Sequence, residues 1–287
     1  MIIRGLFRLC MLFLVALNLS FQWPVDNGRI TSVFGESRVD HFHDGVDMVC
    51  PDGRIYPLEE GELVYLWDRS LFPLDAYPGG GNYRVLKHEG ELYTLYLHLQ
   101  DGPAFKEAYG RRDQLGVIGN TGRSYGGHLH FSALNRAERI SLNPLKMLPP
   151  FPDSVPPVVG GVYVRIGDRY SAIRNGATVR LTRHYPLLIE ITDSAGGRER
   201  LGVHTLSVQF NGRGVKEINF ATLEYSKNGL TITGNKFHDL FDEKGYYRIG
   251  DISYIDGENS LKIVAGDFAG NETVQEMSFN VSLDIRR

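Results

Sequence analysis

Nine histidines punctuate the 287-residue chain, and six of them, His41, His43, His88, His98, His128 and His130, fall in its first half. Two spacings among them could do chemistry: His43-Asp-Gly-Val-Asp47 and His128-Leu-His130. Side chains two apart on a strand point to the same face, so an extended backbone aligns His128 with His130. The same even-number rule aligns His43 with Asp47, in a segment that Gly45, Val46, Val49 and Pro51 keep out of helix. Two imidazoles and a carboxylate meeting at one point give a tetrahedral zinc ion three ligands and leave the fourth position for water, as in catalytic sites. His41 and Asp44 flank the first pair and could be mistaken for members of it; the glycine inside His43-x-Gly45-x-Asp47 favours His43. His98 closes the apolar run Leu92-Tyr-Thr-Leu-Tyr-Leu-His98, on the strand face of Leu92, Thr94 and Tyr96. Asp40, His88, Glu89, His184, His204 and His238 read as surface or turn residues, and Arg38 and Arg123 as solvated arginines.

Strands and turns must position these groups. Glycine is abundant at 33 residues, and Tyr and Phe contribute 15 each, a mix that suits strands joined by tight turns. Gly61–Trp67, Asn82–Lys87 and Leu92–Leu97 read as strands, and no segment combines helical period with caps over three turns. Gly126-Gly127, just before the His-x-His pair, should let the backbone approach another element closely. Six of the 13 prolines lie between Pro144 and Pro157 and mark a linker. Beyond it, Val162–Ile166, Ala177–Leu181, Leu187–Ile191, Thr205–Phe210, Leu261–Ala265 and Met277–Val281 read as strands, with turns such as Gly266-Asp-Phe-Ala-Gly-Asn271 between them. The expected fold is all-β, an N-terminal antiparallel sheet domain followed by a smaller immunoglobulin-like sandwich.

Met1–Arg8 carries two arginines and no acid, and precedes the apolar run Leu9–Leu17 and a polar stretch, so residues 1–22 read as an export signal. The run is too short to span a bilayer, and no membrane span is expected in the mature chain. Uncleaved anchoring by this segment stays open. Export would place the protein in the periplasm, the cell envelope or outside the cell. Only Cys10 and Cys50 occur, which excludes a disulfide framework and a cysteine zinc site; Cys50 reads as a small buried hydrophobe. The net charge of −3 offers no basic field for nucleic acid.

Taken together, His43-x-Gly45-x-Asp47, Tyr96-Leu97-His98-Leu99 and Gly119-Asn-Thr-Gly122-Arg-Ser-Tyr-Gly-Gly127-His128-Leu129-His130-Phe131 resemble the M23 (lysostaphin and LytM type) zinc endopeptidases of bacterial cell walls in order, spacing and flanking glycines. The likeness extends through Gly28–Gly35 and the Gly79–Asn82 loop, over residues 24–148. The second half is similar to the sandwich that follows the catalytic domain in some envelope members. The implied organisation is a peptidase domain at 23–148, a Pro-rich linker at 149–160 and a sandwich at 161–287. The resemblance implies Zn²⁺ held by His43, Asp47 and His130, with His98 and His128 beside the bound water and the scissile carbonyl. The full set argues against degenerate members that lack ligands. Some members carry a tyrosine shortly before the first ligand; Gly35–Asp40 has none, so no tyrosine is assigned.

The His-Glu-x-x-His helix is absent, so a neutral imidazole with a pKa near ~6.5 must act as base. His128 is the candidate, with His98 donating to the developing oxyanion or orienting the water; the two roles could be exchanged. The implied substrate is a peptidoglycan peptide, a cross-link or a stem peptide, in a groove walled by the loops Asp68–Pro78 and Ala104–Arg112. A rival class is a catalytically silent murein binder or hydrolase activator. A third makes the sandwich an interaction module for an envelope protein partner.

Overall fold

Alternating apolar residues separated by glycine turns leave the chain little choice but β-structure, and the computed structural model is almost entirely strand. It describes residues 21–284 apart from Pro103, Gly196 and Asn228; the expected export signal up to residue 20, Cys10 included, lies outside the described residues. Among the described residues the one α-helix is a single turn, α1 (Phe237–Leu240). The chain divides into two compact units, one of Asp44–Phe151 with the residues up to Val33, the other of Phe34–His43 with Pro152 onward.

The first unit contains β1 (Arg29–Ser32), β2 (Val46–Val49), β3 (Arg54–Ile55), β4 (Gly61–Trp67), β5 (Asn82–Lys87), β6 (Leu92–Leu99), β7 (Ala108–Tyr109), β8 (Gly116–Val117), β9 (Leu129–Asn135) and β10 (Ile140–Leu142). Its main sheet runs β7-β4-β5-β6-β9. The free edge of β9 is shared: Leu129–Phe131 pairs with β2, and Ala133–Asn135 with β10. Every pair is antiparallel. The core lies where this sheet buries Leu86, Tyr96, Leu99, Leu129, Phe131 and Ala133, each removed from water. Each leucine and phenylalanine among them stabilises by about 1.5–3 kcal/mol. Tyr96 packs on Phe131 with ring centroids 5.2 Å apart, and its hydroxyl accepts from Leu58 N–H at 2.7 Å.

Four sequence expectations need correction in this unit. His88 is buried, not a surface residue: its Nδ1–H donates to Glu60 O at 2.9 Å and its Nε2 lies 2.7 Å from Thr94 Oγ1, which makes burial of the ring tolerable. Gly126 and Gly127 are uncrowded; the close approach is instead between Gly81 and Thr121–Gly122, where a Cβ on Gly81 would sit 2.4 Å from the Thr121 carbonyl group. Cys50 is half-buried, with its thiol 3.6 Å from Asp52 Oδ1, rather than a core hydrophobe. The Ala104–Arg112 stretch is not all loop, since β7 joins the sheet edge beside β4. Asp68–Pro78 does remain without strand, anchored by Trp67 against Tyr77 and Phe72 with Leu71 and Leu74 exposed.

The second unit contains β11 (Val158–Ile166), β12 (Arg169–Ile173), β13 (Thr178–Leu181), β14 (Pro186–Thr192), β15 (Thr205–Phe210), β16 (Arg213–Asn219), β17 (Thr222–Ser226), β18 (Gly229–Ile232), β19 (Asn235–Lys236), β20 (Tyr247–Asp251), β21 (Gly257–Gly266) and β22 (Glu272–Leu283). Two sheets, β12-β11-β14-β20 and β13-β22-β21-β15-β16, form the sandwich, with β13 parallel to β22. Their inward residues, among them Val164, Leu187, Ile189, Val208, Ile263 and Phe279, are buried. β11 starts at Val158, inside the stretch expected as linker. The segment Phe34–His43 also packs within this unit: Phe42 meets Phe237 at 5.3 Å and Phe241 at 6.1 Å, and Glu36 Oε1 accepts from Gly202 N–H at 2.8 Å.

Candidate metal centre

Asp47 on β2 and His130 on β9 are directly opposed Cα partners, so strand pairing alone sends both side chains to one face. Asp47 Oδ1 lies 2.9 Å from His130 Nδ1. His43 precedes β2 and belongs to no strand, so it does not reach Asp47 by the alternation expected from sequence; the chain bends at Gly45 instead. His43 N–H donates to Glu36 O at 2.9 Å, and His43 O accepts from Gly35 N–H at 2.8 Å. Ligand atoms of His43, Asp47 and His130 all come within 4.8 Å of one another, on side chains of residues only 4%, 6% and 7% exposed. Gly45 is needed here for space: a Cβ would stand 2.7 Å from His130 Nε2 and 2.6 Å from Phe131 O.

The cluster is electrostatically short of positive charge. Burial opposes protonation of His130, yet Asp44, at 3.3 Å from its Nε2, and Asp47 outweigh burial and push its pKa up to about 9. Two buried imidazoles and a buried carboxylate at this spacing are the donor set of a divalent zinc-type site, so the residues present fit a metal.

His98 and His128 adjoin the cluster. The His98 ring centroid is 4.9 Å from that of His128 and 6.0 Å from that of His130. Leu97 pairs with His130 across β6 and β9, so regular alternation would carry His98 to the opposite face. A left-handed backbone at His98, φ 64°, breaks that alternation. Its Nδ1–H donates to Thr121 O at 2.8 Å, leaving Nε2 as the nitrogen with a lone pair in the neutral ring. Burial above all holds its pKa down, to about 4, although the Thr121 carbonyl opposes this. His128 lies one residue before β9, tied to Gly119 O through its N–H at 3.2 Å. Its Nδ1–H donates to Gly126 O at 2.8 Å, and its Nε2 is 3.6 Å from Asp47 Oδ1.

The other sequence candidates are not members of the metal-ligand group. His41 is exposed and paired with its neighbour Asp40. His184 and His238 are exposed, and half-buried His204 packs on Phe268 within the sandwich. Arg123 is exposed and Arg38 half-buried. Sequence reasoning set Asp44 aside and did not single out Ser132 or Thr121, yet all three support the site. Asp44 and Ser132 both approach His130 Nε2, Ser132 Oγ at 2.8 Å. Thr121 holds His98 and is itself fixed, its Oγ1 donating to Leu99 O and accepting from Asn82 N–H. Only the Gly119-Asn-Thr-Gly122 turn hinted at that last role.

Residues 41–144 match the model of peptidase family M23, and a separate family model matches residues 156–282. Residues 41–144 are thus similar to an M23 peptidase domain. Similar curated proteins include the peptidoglycan DD-endopeptidase ShyA of Vibrio cholerae serotype O1, 32% identical over 151 residues that make up 49% of this chain and 33% of ShyA. Another is the DD-carboxypeptidase/endopeptidase Mpg of Neisseria gonorrhoeae, 30% identical over 139 residues, 45% of this chain and 29% of Mpg. A solved zinc-containing peptidase from Vibrio cholerae is 32% identical, covering 41% of this chain and 37% of its own, with a TM-score of 0.35. The chain thus matches about a third of the length of these curated relatives.

Proposed function

We propose that this protein is a zinc-dependent endopeptidase that hydrolyses peptide cross-links or stem peptides of bacterial peptidoglycan. The observation that carries the reading is the convergence of His43, Asp47 and His130 within 4.8 Å, with two further imidazoles alongside whose Nδ1 protons are already committed to backbone carbonyls. The names of the similar curated proteins, peptidoglycan DD-endopeptidases and a DD-carboxypeptidase/endopeptidase, support the substrate class.

In this reading His43, Asp47 and His130 hold the ion. Bound zinc would act as a Lewis acid and bring the pKa of a coordinated water from ~15.7 towards ~7. The chain's own residues then move protons. His128, with Nδ1–H fixed on Gly126 O, presents Nε2 as general base, and the neutral tautomer is the one that can accept a proton. His98, fixed through Thr121 O, orients the attacking water or, once protonated, stabilises the developing oxyanion; the two histidines can exchange roles. Burial above all keeps His98 neutral at rest.

In this reading the peptidase chemistry belongs to the 23–148 stretch and the sandwich begins with β11 at Val158, so the joining segment is shorter than 149–160. The protein works, in this reading, after export, in the periplasm, the cell envelope or outside the cell, with the sandwich available to an envelope protein partner. Digestion of purified murein with the zinc-loaded protein, followed by mass spectrometry of the released fragments, tests the proposal. Cleaved cross-links or stem peptides are expected; intact murein under conditions where metal is bound would overturn it.

A further inference from the structure

The second unit holds an acidic cluster that has no part in the peptidase chemistry. Asp153 lies on the approach to β11, Asp193 follows β14, and Asp267 opens the turn between β21 and β22. Carboxylate oxygens of all three come within 4.8 Å of one another. Asp193 is 6% exposed and Asp267 4%, while Asp153 is half-buried and gives the cluster its access to solvent.

The three carboxylates are not equally used. Asp267 is held by its own turn: Oδ1 accepts from the N–H groups of Ala269, Gly270 and Asn271 at 2.7–2.8 Å, and Oδ2 from Asn271 Nδ2 at 2.7 Å. Asp153 Oδ1 accepts from Val155 N–H at 2.9 Å. Asp193 Oδ1 and Asp153 Oδ2, both buried, have no hydrogen-bond partner among the described residues. No Lys, Arg or His ion pair reaches any of the three among the described residues. Burying a carboxylate without a counter-charge costs several kcal/mol, and gathering three compounds that cost through repulsion. Burial first, with the neighbouring Asp153 and Asp267 adding to it, pushes the Asp193 carboxyl up to about 6, a sign of how little positive charge the protein itself supplies.

We propose that Asp153, Asp193 and Asp267 bind one calcium ion, with the unpartnered oxygens of Asp153 and Asp193 as ligands. An all-oxygen, carboxylate-rich donor set selects a hard cation, and calcium tolerates the irregular geometry of ligands drawn from three loops better than magnesium, which demands a near-ideal octahedron. Bound there, the ion ties the segment entering the sandwich to the loop that β14 opens at the Asp193–Leu201 bridge and to the β21–β22 turn. The site does not rest on the peptidase reading, since it shares no residue with the His43, Asp47 and His130 cluster.

Equilibrium dialysis of the zinc-loaded full-length chain against millimolar calcium, paired with thermal unfolding, tests it. The expected result is one calcium per chain and a midpoint raised by about 2–8 °C. Asp193→Asn and Asp153→Asn should abolish both effects with unchanged far-UV circular dichroism, and His130→Ala should keep the calcium uptake. No calcium uptake at millimolar concentration, or equal uptake by both Asn variants, would overturn the site. Two variants guard against disturbance of a single loop; Asp267 is spared because its turn depends on it.

Discussion

Asp47 and His130 sit 83 residues apart in sequence yet face each other directly across β2 and β9, with Oδ1 2.9 Å from Nδ1. That single register places a carboxylate and an imidazole in contact without help from any loop. A one-residue slip would send the two side chains to opposite faces of the sheet.

The first expectation separates ligands from proton-transfer groups. Asp47→Ala and His130→Ala should lose bound zinc and activity together. His98→Ala and His128→Ala should keep near-stoichiometric metal and lose turnover by about 10²–10⁴-fold. Metal content by plasma mass spectrometry, set beside murein-fragment release, checks it; full activity in His130→Ala would contradict the ligand assignment.

Gly45→Ala should damage the site without removing a ligand. The new methyl would come within 2.7 Å of His130 Nε2 and Ser132 Oγ. Forcing it in should cost about 1–3 kcal/mol and weaken zinc binding. Zinc titration and thermal unfolding of the variant measure the two effects.

Thr121→Val should act through His98. Thr121 Oγ1 donates to Leu99 O at 2.8 Å and accepts from Asn82 N–H at 2.9 Å, and the same residue's carbonyl holds His98 Nδ1–H. Loss of these anchors should lower kcat about tenfold or more with metal content unchanged. Thr121→Ser, which keeps the hydroxyl, should restore it; kcat and KM determined separately distinguish this from a general loss of fold.

His88 should make stability depend on pH. Burial lowers its pKa, with the Glu60 carbonyl only partly opposing it. In the unfolded chain a histidine titrates near ~6.5. Below that pH the unfolded state binds the proton more readily, so the stability present above ~6.5 declines as the pH falls. His88→Gln should flatten this dependence between about pH 7 and about pH 5, read as a smaller drop in unfolding midpoint than the wild type suffers.

Much of this was legible in the chain itself. Runs rich in aromatic and β-branched residues between glycine turns marked β4 and β5 to their end residues, because those side chains suit a pleated strand and glycine suits the turns. The spacing of five histidines and aspartates, and their likeness to a known family, singled out His43, Asp47, His98, His128 and His130. Tertiary structure decided the rest, and for one reason: the deciding interactions join residues far apart, where local pattern carries no signal. The turn of His98 towards His130 depends on a left-handed φ that strand alternation does not foresee. The packing of Phe42 on Phe237 and Phe241, which groups Phe34–His43 with the second unit, is invisible in either segment alone. Asp153, Asp193 and Asp267 look like ordinary loop residues until the fold gathers their charges into one buried place.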